Sequence, residues 1–256
     1  MKISILQSDI AWEDKTANFD RLEKMIGNDR SGTDLYIMPE MFNTGFSMDT
    51  PGIAEAPSEM TFNWMSTMAE KTGAALCGSY AVREGHRCYN RWTFVSPGGA
   101  SFFYDKRHLF SMGGEDKSYS PGKERVVFSY KGIRICPTVC YDLRFPVWSR
   151  NRSDYDLLIN SANWPASRDS VWETLVKARA IENQCYFAAA NRVGTDPSGA
   201  CYCGNSAVID PKGNIVSAPA GKEESVIRAE ISLDELTDFR RKFPVWKDAD
   251  EFRIKA

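Results

Sequence analysis

Strand-like and helix-like patterns alternate at the start of the chain, and this alternation constrains the fold more than any other feature. In residues 2–8, Ile3 and Ile5 lie on one face of a strand, and residues 14–28 then carry an apolar stripe at helical spacing. A short buried strand follows and stops at Pro39. This order predicts a β-α-β unit. The apolar stripe consists of Phe19, Leu22, Met25 and Ile26.

Later segments add hairpins and further helices. Pro-Gly-Gly at 97–99 marks one hairpin turn, and residues 211–214 mark another. Ser58 is expected to cap a helix that Gly73 ends, and residues 168–184 predict one more. The strands are too apolar to face water on both sides. The pattern therefore predicts a mixed α/β fold, in which two sheets pack together and helices cover their outer faces.

Composition limits the kinds of partner and compartment. The 32 Lys and Arg residues nearly balance 34 Asp and Glu, so the net charge of -2 indicates neither a nucleic-acid nor a membrane surface. No apolar run reaches the ~18 residues of a membrane span, and the N-terminus is not a signal peptide. Seven cysteines, an odd number, suit free thiols in the cytoplasm. Without a linker or repeat, residues 1–256 are expected to form a single domain.

One strand ends on a cysteine. The apolar run Ile133–Val139 leads directly into Cys140, with Tyr141 and Arg144 just beyond it. Most free cysteines are structural, but functional residues gather at the carboxyl ends of strands. A helix beginning near Phe145 would also aim backbone N–H groups at this region and favour the nucleophilic thiolate.

A nucleophilic thiol needs a base and a group that stabilises the oxyanion. Glu40 and Lys106 each end another strand, and each could also be a solvated loop charge. Because buried charges are costly unless they are paired, these strand ends suggest a shared site with Cys140. Of the two histidines, His86 lies in a polar turn, whereas His108 could reach the site. A Cys–His pair therefore stays open.

Several segments resemble the nitrilase (carbon–nitrogen hydrolase) superfamily. "PE" after an apolar strand, "YDKRHLF" and "CYDLRFP" are similar to its three signature segments, in the same order. "NSANWPASR" and "WETLVKARAIENQCYFAAANRVG" resemble the omega-amidase branch. The likeness covers nearly the whole chain. It implies a four-layer α-β-β-α sandwich of two central mixed sheets flanked by helices, a Glu-Lys-Cys triad, no cofactor and no metal, and homodimers or larger assemblies.

The resemblance also implies roles for individual residues. The general base falls on Glu40, the lysine on Lys106 and the nucleophile on Cys140. A second glutamate falls on Glu115 in "MGGEDKSYSPG", with Glu124 as the fallback. The implied reaction hydrolyses the terminal amide of a small 2-oxo dicarboxylic acid monoamide, 2-oxoglutaramate or 2-oxosuccinamate, to the 2-oxo acid and ammonia through a thioester.

The surroundings of the nucleophile suggest further roles. The oxyanion is expected between the Lys106 ammonium and the backbone N–H of Tyr141. An arginine fork suits the substrate carboxylate, and Arg144 is the first candidate, with an ion pair to an acid such as Asp142 as the alternative. The cavity wall is expected to include Trp164, for which core packing is the alternative, and Phe110.

Three other functions remain open. The first is a nitrilase or a general aliphatic amidase that uses the same triad. The second is a non-catalytic member of the superfamily that only binds a partner. The third is a Cys–His acyl transferase that uses His108, which a substitution of that histidine alone would distinguish.

Overall fold

The computed structural model of the protein describes residues 1–254, and this part of the chain contains thirteen strands and seven α-helices. The strands are β1 (Lys2–Gln7), β2 (Leu35–Ile37), β3 (Ala75–Glu84), β4 (Arg87–Val95), β5 (Ser101–Asp105), β6 (Phe128–Tyr130), β7 (Ile133–Val139), β8 (Leu157–Ala162), β9 (Tyr186–Asn191), β10 (Val193–Thr195), β11 (Cys201–Cys203), β12 (Ala207–Ile209) and β13 (Ser225–Glu230). The α-helices are α1 (Lys15–Asn28), α2 (Thr50–Ile53), α3 (Met60–Thr72), α4 (Glu115–Ser118), α5 (Pro146–Ser149), α6 (Asp169–Asn183) and α7 (Leu233–Lys242). The 3-10 helices of residues 1–254 are Ser111–Gly113, Cys140–Arg144, Ala166–Arg168 and Val245–Asp248.

Two large sheets have the same internal arrangement. The first has the order β13-β1-β2-β3-β4-β5 and the second the order β12-β9-β8-β7-β6. Three central strands are parallel in each, β1 to β3 in the first and β7 to β9 in the second, and antiparallel strands flank them. Strands β10 and β11 form a separate two-stranded ribbon. The prediction of two mixed sheets is confirmed.

The two large sheets pack face to face around the central core. Because side chains alternate along a strand, Ile3 and Ile5 point into this core while Leu6 faces the other way. Leu6 joins an outer cluster that α1 and α3 cover, and a corresponding cluster around Trp172 joins α6 to the second sheet. Helices on both outer faces give the expected four layers.

Helix boundaries follow the predicted signals in most places. Asp14 caps α1 by accepting a hydrogen bond from the backbone N–H of Ala17 at 3.0 Å, and Gly73 ends α3 at a φ of 69°. The prediction that Ser58 caps α3 is wrong. The helix begins one residue later, after Glu59, whose carboxylate instead accepts from the N–H of Ala56.

The helix expected near Phe145 is present but short: Phe145 is the N-cap of the four-residue α5, and a 3-10 helix, Cys140–Arg144, precedes it and starts at the cysteine itself. One further expectation needs correction. The hairpin predicted around residues 211–214 has only one regular arm, because beyond the turn the chain makes a single isolated bridge, Ile215 to Ile209. Polar Ser217 and small alanines follow in place of an apolar strand.

Hydrogen bonds join the two large sheets near the carboxyl ends of their parallel strands. Ser161 at the end of β8 donates to the backbone carbonyl of Met38 after β2, at 2.8 Å. The indole N–H of Trp92 in β4 donates to the same serine hydroxyl at 3.3 Å. These buried contacts fix the position of one sheet edge relative to the other, which matters because polar side chains from both edges meet there.

Candidate active site

Cys140 lies where β7 ends and a 3-10 helix begins. Its φ of 41° places it in the left-handed region, which costs a residue other than glycine ~1–2 kcal/mol. The thiol donates a weak hydrogen bond to the backbone carbonyl of Asn163, at an Sγ–O distance of 3.8 Å. The sharp turn directs the side chain away from the β7 ladder and into a cavity at the sheet edge.

Lys106 forms the centre of a buried charged cluster beside this cysteine. Its Nζ lies 2.8 Å from Glu40 Oε1 and 2.8 Å from Glu115 Oε2, and none of the three side chains is more than 1% exposed. Strand β4 is antiparallel to both β3 and β5, so β5 runs in the same direction as β2. For that reason Lys106, after β5, reaches the same edge as Glu40, after β2.

Both oxygens of the Glu40 carboxylate are held by neighbouring groups. Oε1 accepts from the side-chain amide of Asn90 at 2.8 Å, and Oε2 accepts from the backbone N–H of Asn163 at 3.0 Å. The next residue, Met41, has a φ of 44°, and its N–H donates to the Ser79 hydroxyl at 3.0 Å. A carboxylate fixed in this way can receive a proton from one direction without first reorienting.

Burial and neighbouring charges act on the protonation of this cluster. Burial alone would lower the pKa of Lys106, but Glu115 and Glu40 outweigh it and raise the pKa, so the lysine is cationic. Burial raises the pKa of Glu115, and Lys106 opposes the rise while Glu40 adds to it. Burial and Glu40 together raise the pKa of the Cys140 thiol well above its usual value, although Lys106 opposes them. The thiol is therefore protonated at neutral pH and needs a base.

The buried carboxylate of Asp142 braces the turn that carries Cys140. Its Oδ2 accepts from the N–H of Val139 at 3.0 Å and from the hydroxyl of Tyr104 at 2.7 Å. Its Oδ1 accepts from the backbone N–H of His108 at 2.9 Å and lies 2.7 Å from the ring Nδ1 of that residue. Asp142 thus connects the Cys140 turn with the segment that follows Lys106.

The position of His108 bears on the expected Cys–His pair. Its ring stacks on Phe145 with 3.9 Å between ring centroids, its Nδ1 faces Asp142, and it does not line the cavity that Cys140 lines. His86 is exposed. The geometry therefore joins Cys140 with Glu40 and does not join it with either histidine.

A cavity of about 350 Å³ lies above the cluster. Glu40, Lys106 and Cys140 line it, together with Tyr141, so the proposed reacting groups all face one enclosed space. That volume is within the usual range for small-molecule sites. Apolar and aromatic side chains form other parts of its wall, among them Trp12, Phe46, Met48 and Tyr202.

Two arginines in the cavity wall each lie over an aromatic ring. The guanidinium carbon of Arg144 is 5.0 Å from the centre of the Trp164 ring, and that of Arg168 is 5.3 Å from the centre of the Phe110 ring. All four residues line the cavity. Trp164 also packs on Trp172, so it both lines the cavity and packs in the core. The alternative ion pair between Arg144 and Asp142 is wrong, because Asp142 is occupied by other donors.

Glu124, the fallback for Glu115, lies elsewhere. It is exposed and lines a separate surface depression with Lys123 and Arg87, whereas Glu115 is fully buried against Lys106. The Glu115 carboxylate also accepts from the backbone N–H of Phe110 at 2.6 Å, which ties it to the cavity wall.

Sequence reasoning missed three residues that the structure adds to this edge. Asn163 follows the end of β8, so the same strand-end rule that selected Cys140 could have selected it. Asn90, by contrast, sits inside β4 and carries no positional signal, although it bonds both Glu40 and Glu115, the latter at 3.0 Å. Arg168 reaches the cavity through a short 3-10 helix whose position depends on the whole fold.

Within residues 1–254, His, Cys, Asp and Glu side chains do not gather in any group of three or more that could hold a metal ion. None of the helices in the same part of the chain has the length and apolar character needed to cross a membrane.

Comparisons with known proteins agree on one family. Residues 2–241 match the carbon-nitrogen hydrolase family. The chain is 45% identical over 254 residues to omega-amidase YafV of Escherichia coli (strain K12), an alignment covering 99% of this chain and 98% of that one. It is 35% identical over 251 residues to the 2-oxoglutaramate amidase of Bacillus subtilis (strain 168), over 96% of each chain.

A solved structure gives the same result. The crystal structure of a CN-hydrolase superfamily protein from Xanthomonas campestris, with an arsenic adduct in its active site, superposes with a TM-score of 0.96. The two chains are 41% identical, and the match covers 100% of this chain and 99% of that one. With sequence and fold in agreement over this length, the chain belongs to the carbon–nitrogen hydrolase family and is a hydrolase of carbon–nitrogen bonds other than peptide bonds.

Proposed function

We propose that the protein is an omega-amidase that hydrolyses the terminal amide of a small 2-oxo dicarboxylic acid monoamide, such as 2-oxoglutaramate or 2-oxosuccinamate. One observation carries this proposal: a cysteine faces the same cavity as a buried Lys106–Glu40 pair, and the wall holds Arg144, which has no acidic partner within residues 1–254. The names of the relatives from E. coli and B. subtilis agree with it.

In the proposed first step, Glu40 takes the proton of the Cys140 thiol and the sulfur attacks the amide carbon. A base is required because the pKa of the thiol is raised. The Lys106 ammonium, 2.8 Å from Glu40 Oε1, keeps that carboxylate in place and stabilises negative charge beside the sulfur.

The tetrahedral intermediate carries an oxyanion, for which two donors are available. One is the Lys106 ammonium. The other is the backbone N–H of Tyr141, the second residue of a 3-10 helix, whose first N–H groups have no carbonyl of the same helix to bond. Protonated Glu40 then gives its proton to the leaving nitrogen, so that ammonia departs and a thioester remains on Cys140.

Hydrolysis of the thioester completes the proposed cycle. Glu40, again a carboxylate, removes a proton from a water molecule that attacks the thioester carbon, and the proton returns to the cysteine sulfur as the carboxylic acid leaves. Glu115 does not line the cavity, so we assign it a supporting role. It holds Lys106 from the side away from substrate through contacts of 2.8 and 3.0 Å.

Arg144 is the proposed partner of the carboxylate at the far end of the substrate. A guanidinium can hold a carboxylate through two parallel hydrogen bonds, and Trp164 supports its flat face. Trp164 and Phe110 are the proposed apolar walls around the carbon chain of the substrate.

Ammonia release tests this function. Wild-type protein is supplied in parallel with 2-oxoglutaramate, glutamine, a simple aliphatic amide and a nitrile, and Cys140→Ala is run beside it. We expect strong release from the 2-oxo acid amide, at most slow release from the simple aliphatic amide, and none from Cys140→Ala. Cys201→Ala is the matched control, because Cys201 is an exposed free thiol outside the cavity lining.

Other outcomes select the alternatives. Faster release from the nitrile or the simple aliphatic amide than from 2-oxoglutaramate would keep the catalytic cluster and replace the substrate class. No release from any of the four compounds would favour a binding function. Normal turnover by Cys140→Ala would contradict the covalent mechanism.

We further propose that residues 1–256 act as one catalytic domain that forms homodimers or larger assemblies in the cytoplasm. Exposed apolar side chains on α5 and α6, Val147 at 57% and Ile181 at 50% exposure, support self-association. All seven cysteines are free, as a reducing compartment favours. Light scattering coupled to size-exclusion chromatography measures the assembly size, and a monomer at micromolar concentration would contradict this part of the proposal.

A further inference from the structure

Arg168 has no acidic partner and no hydrogen-bond acceptor for its guanidinium within residues 1–254, and Arg144 is in the same position. Most other arginines in this part of the chain donate to an acidic side chain or to a backbone carbonyl. Arg179 donates to the backbone carbonyl of Leu143, for example. Two cations without acidic partners that face one partly enclosed cavity favour the binding of an anion there.

The acidic side chains that line the same cavity already have hydrogen-bond or ion-pair partners. Asp196 accepts hydrogen bonds from three groups of its own turn, and its Oδ2 accepts from the hydroxyl of Tyr202 at 2.8 Å. Burial would raise the pKa of Asp196, but the hydrogen bonds from Ser198 and Tyr202 lower it, so it stays ionised without a cation. Glu40 is paired with Lys106. The two arginines therefore remain the unpaired cations of the cavity lining.

The guanidinium of Arg168 lies over the Phe110 ring, and other contacts fix the position of that ring. The backbone N–H of Phe110 donates to the buried Glu115 carboxylate at 2.6 Å, which fixes the segment, and the Phe110 ring meets the Tyr141 ring edge-on at 5.2 Å. Gly113 packs against the same ring so closely that a Cβ at that position would lie 2.7 Å from a ring carbon. The position of Arg168 over the ring is thus built by residues that also line or support the cavity.

We propose that Arg168 is a second specificity-determining residue, which binds the carboxylate end of the substrate jointly with Arg144. This inference rests on the proposed function for the identity of the substrate. A 2-oxo carboxylate end presents three adjacent oxygen atoms, more than one guanidinium fork can bind in its own plane. Two guanidiniums, one from the Cys140–Arg144 turn and one from the Ala166–Arg168 turn, can share them.

The test compares two amides of equal chain length, 2-oxoglutaramate and uncharged valeramide. Arg168→Met should raise KM for 2-oxoglutaramate roughly 10- to 100-fold with little change in kcat, because a hydrogen bond to a charged group contributes about that factor. Turnover of valeramide should not change. Arg168→Lys should recover part of the loss. Arg152→Met is the matched control, since Arg152 also lies over a phenylalanine ring, at 4.9 Å, but outside the cavity.

Gly113→Ala provides a second variant that leaves Arg168 in place. The added Cβ displaces the Phe110 ring, so KM for 2-oxoglutaramate should rise in the same direction as in Arg168→Met, by a smaller factor. Equal losses on both amides, or no loss on either, in Arg168→Met would overturn the inference while the amidase function stands.

A binding measurement separates failure of this inference from failure of the proposed function. The probe is glutarate, a five-carbon dicarboxylate, titrated calorimetrically into Cys140→Ala protein with and without Arg168→Met. A rise in Kd of roughly tenfold or more supports the site even if wild type releases no ammonia from any amide. An unchanged Kd overturns it in either case.

Discussion

Two sets of charged side chains face one cavity and differ in how their charges are compensated. At the base, Lys106 is held between Glu40 and Glu115, and all three side chains are almost fully buried. In the wall, Arg144 and Arg168 are partly exposed and meet aromatic rings instead of acids. The charges at the base are compensated within the protein, whereas in the proposed function substrate compensates those of the wall. Changes at the base should therefore affect stability and rate together, and changes in the wall should affect affinity alone.

The largest effect is expected from removing the cation of the buried charged cluster at the base of the cavity. Lys106→Met leaves two buried carboxylates without their cation, so we expect the free energy of unfolding to fall by about 3–5 kcal/mol. Activity should fall by at least ~10³-fold, because the variant also loses the proposed oxyanion donor. Urea unfolding and ammonia release from 2-oxoglutaramate measure the two effects.

Lys123→Met is the control for this variant, because Lys123 is an exposed lysine that lines only a separate surface depression. It should match wild type in both measurements. A Lys106→Met protein as stable as wild type would show that the buried charges at the base are not coupled to folding.

A smaller effect is expected from weakening the contacts that connect the buried Lys106 cluster with the Cys140 turn. Asp142→Asn weakens a carboxylate that accepts four hydrogen bonds, so the Cys140 turn can shift relative to Lys106. Because a displacement of about 1 Å can cost ~10²-fold, we expect kcat to fall by that order with a nearly unchanged KM. Steady-state kinetics on 2-oxoglutaramate measure the two constants.

Tyr104→Phe removes one of those four donors and should reduce kcat less than Asp142→Asn does. If both variants changed KM and kcat in equal proportion, the hydrogen bonds of Asp142 would have a structural role only and would not position Cys140.

Arg144→Met tests the wall. We expect KM for 2-oxoglutaramate to rise roughly 10- to 100-fold, while the free energy of unfolding changes by less than about 1 kcal/mol because only the contact with the Trp164 ring is lost. Kinetics and urea unfolding are measured on the same preparation. Loss of stability comparable to that of Lys106→Met would remove the distinction between wall and base.

The smallest effect concerns a paired acid outside the cavity. Burial raises the pKa of Asp156, but hydrogen bonds from Arg134 and Arg240 outweigh it and hold the pKa below its usual value. The folded state thus binds fewer protons than the unfolded state, so this stabilisation is fully present well above the ordinary carboxyl pKa and is lost as the pH falls through the lower pKa of the folded state.

Asp156→Asn should lose less stability than wild type between pH 7 and pH 3. The difference has this sign because protonation of the wild-type carboxylate at low pH removes its ionic contacts with Arg134 and Arg240, which the neutral variant lacks at every pH. Urea unfolding at several pH values measures it. Parallel stability curves for the two proteins would contradict the assignment.

The sequence predicts those parts of the site that follow a strand end. Glu40, Lys106 and Cys140 each follow an apolar run whose boundary is visible, and parallel strand direction then brings their side chains to one edge. The layers were predictable for a related reason, because the strands are apolar on both faces and must be covered. Glu115 begins the short helix α4 and does not follow a strand, and only the family resemblance selected it.

Other features depend on contacts that no local pattern encodes. Asn90 points from the middle of β4 towards Glu40, and Arg168 reaches the cavity only because the Ala166–Arg168 turn folds beside Phe110. The helix expected near Phe145 is present as the four-residue α5, whose first residue, Pro146, favours a helix start. The 3-10 helix that begins at Cys140 has no such local signal, because it depends on the buried Asp142 carboxylate that accepts from the N–H of Val139.

The left-handed backbone of Cys140 has a consequence for engineering. Glycine is the residue that this conformation suits, so Cys140→Gly should be more stable than Cys140→Ala by about 1 kcal/mol. Stability and reactivity thus make opposite demands on one position. A search for thermostable variants that scores only the energy of the folded state would select a replacement of Cys140 early. A search that leaves this turn unchanged would keep the thiol.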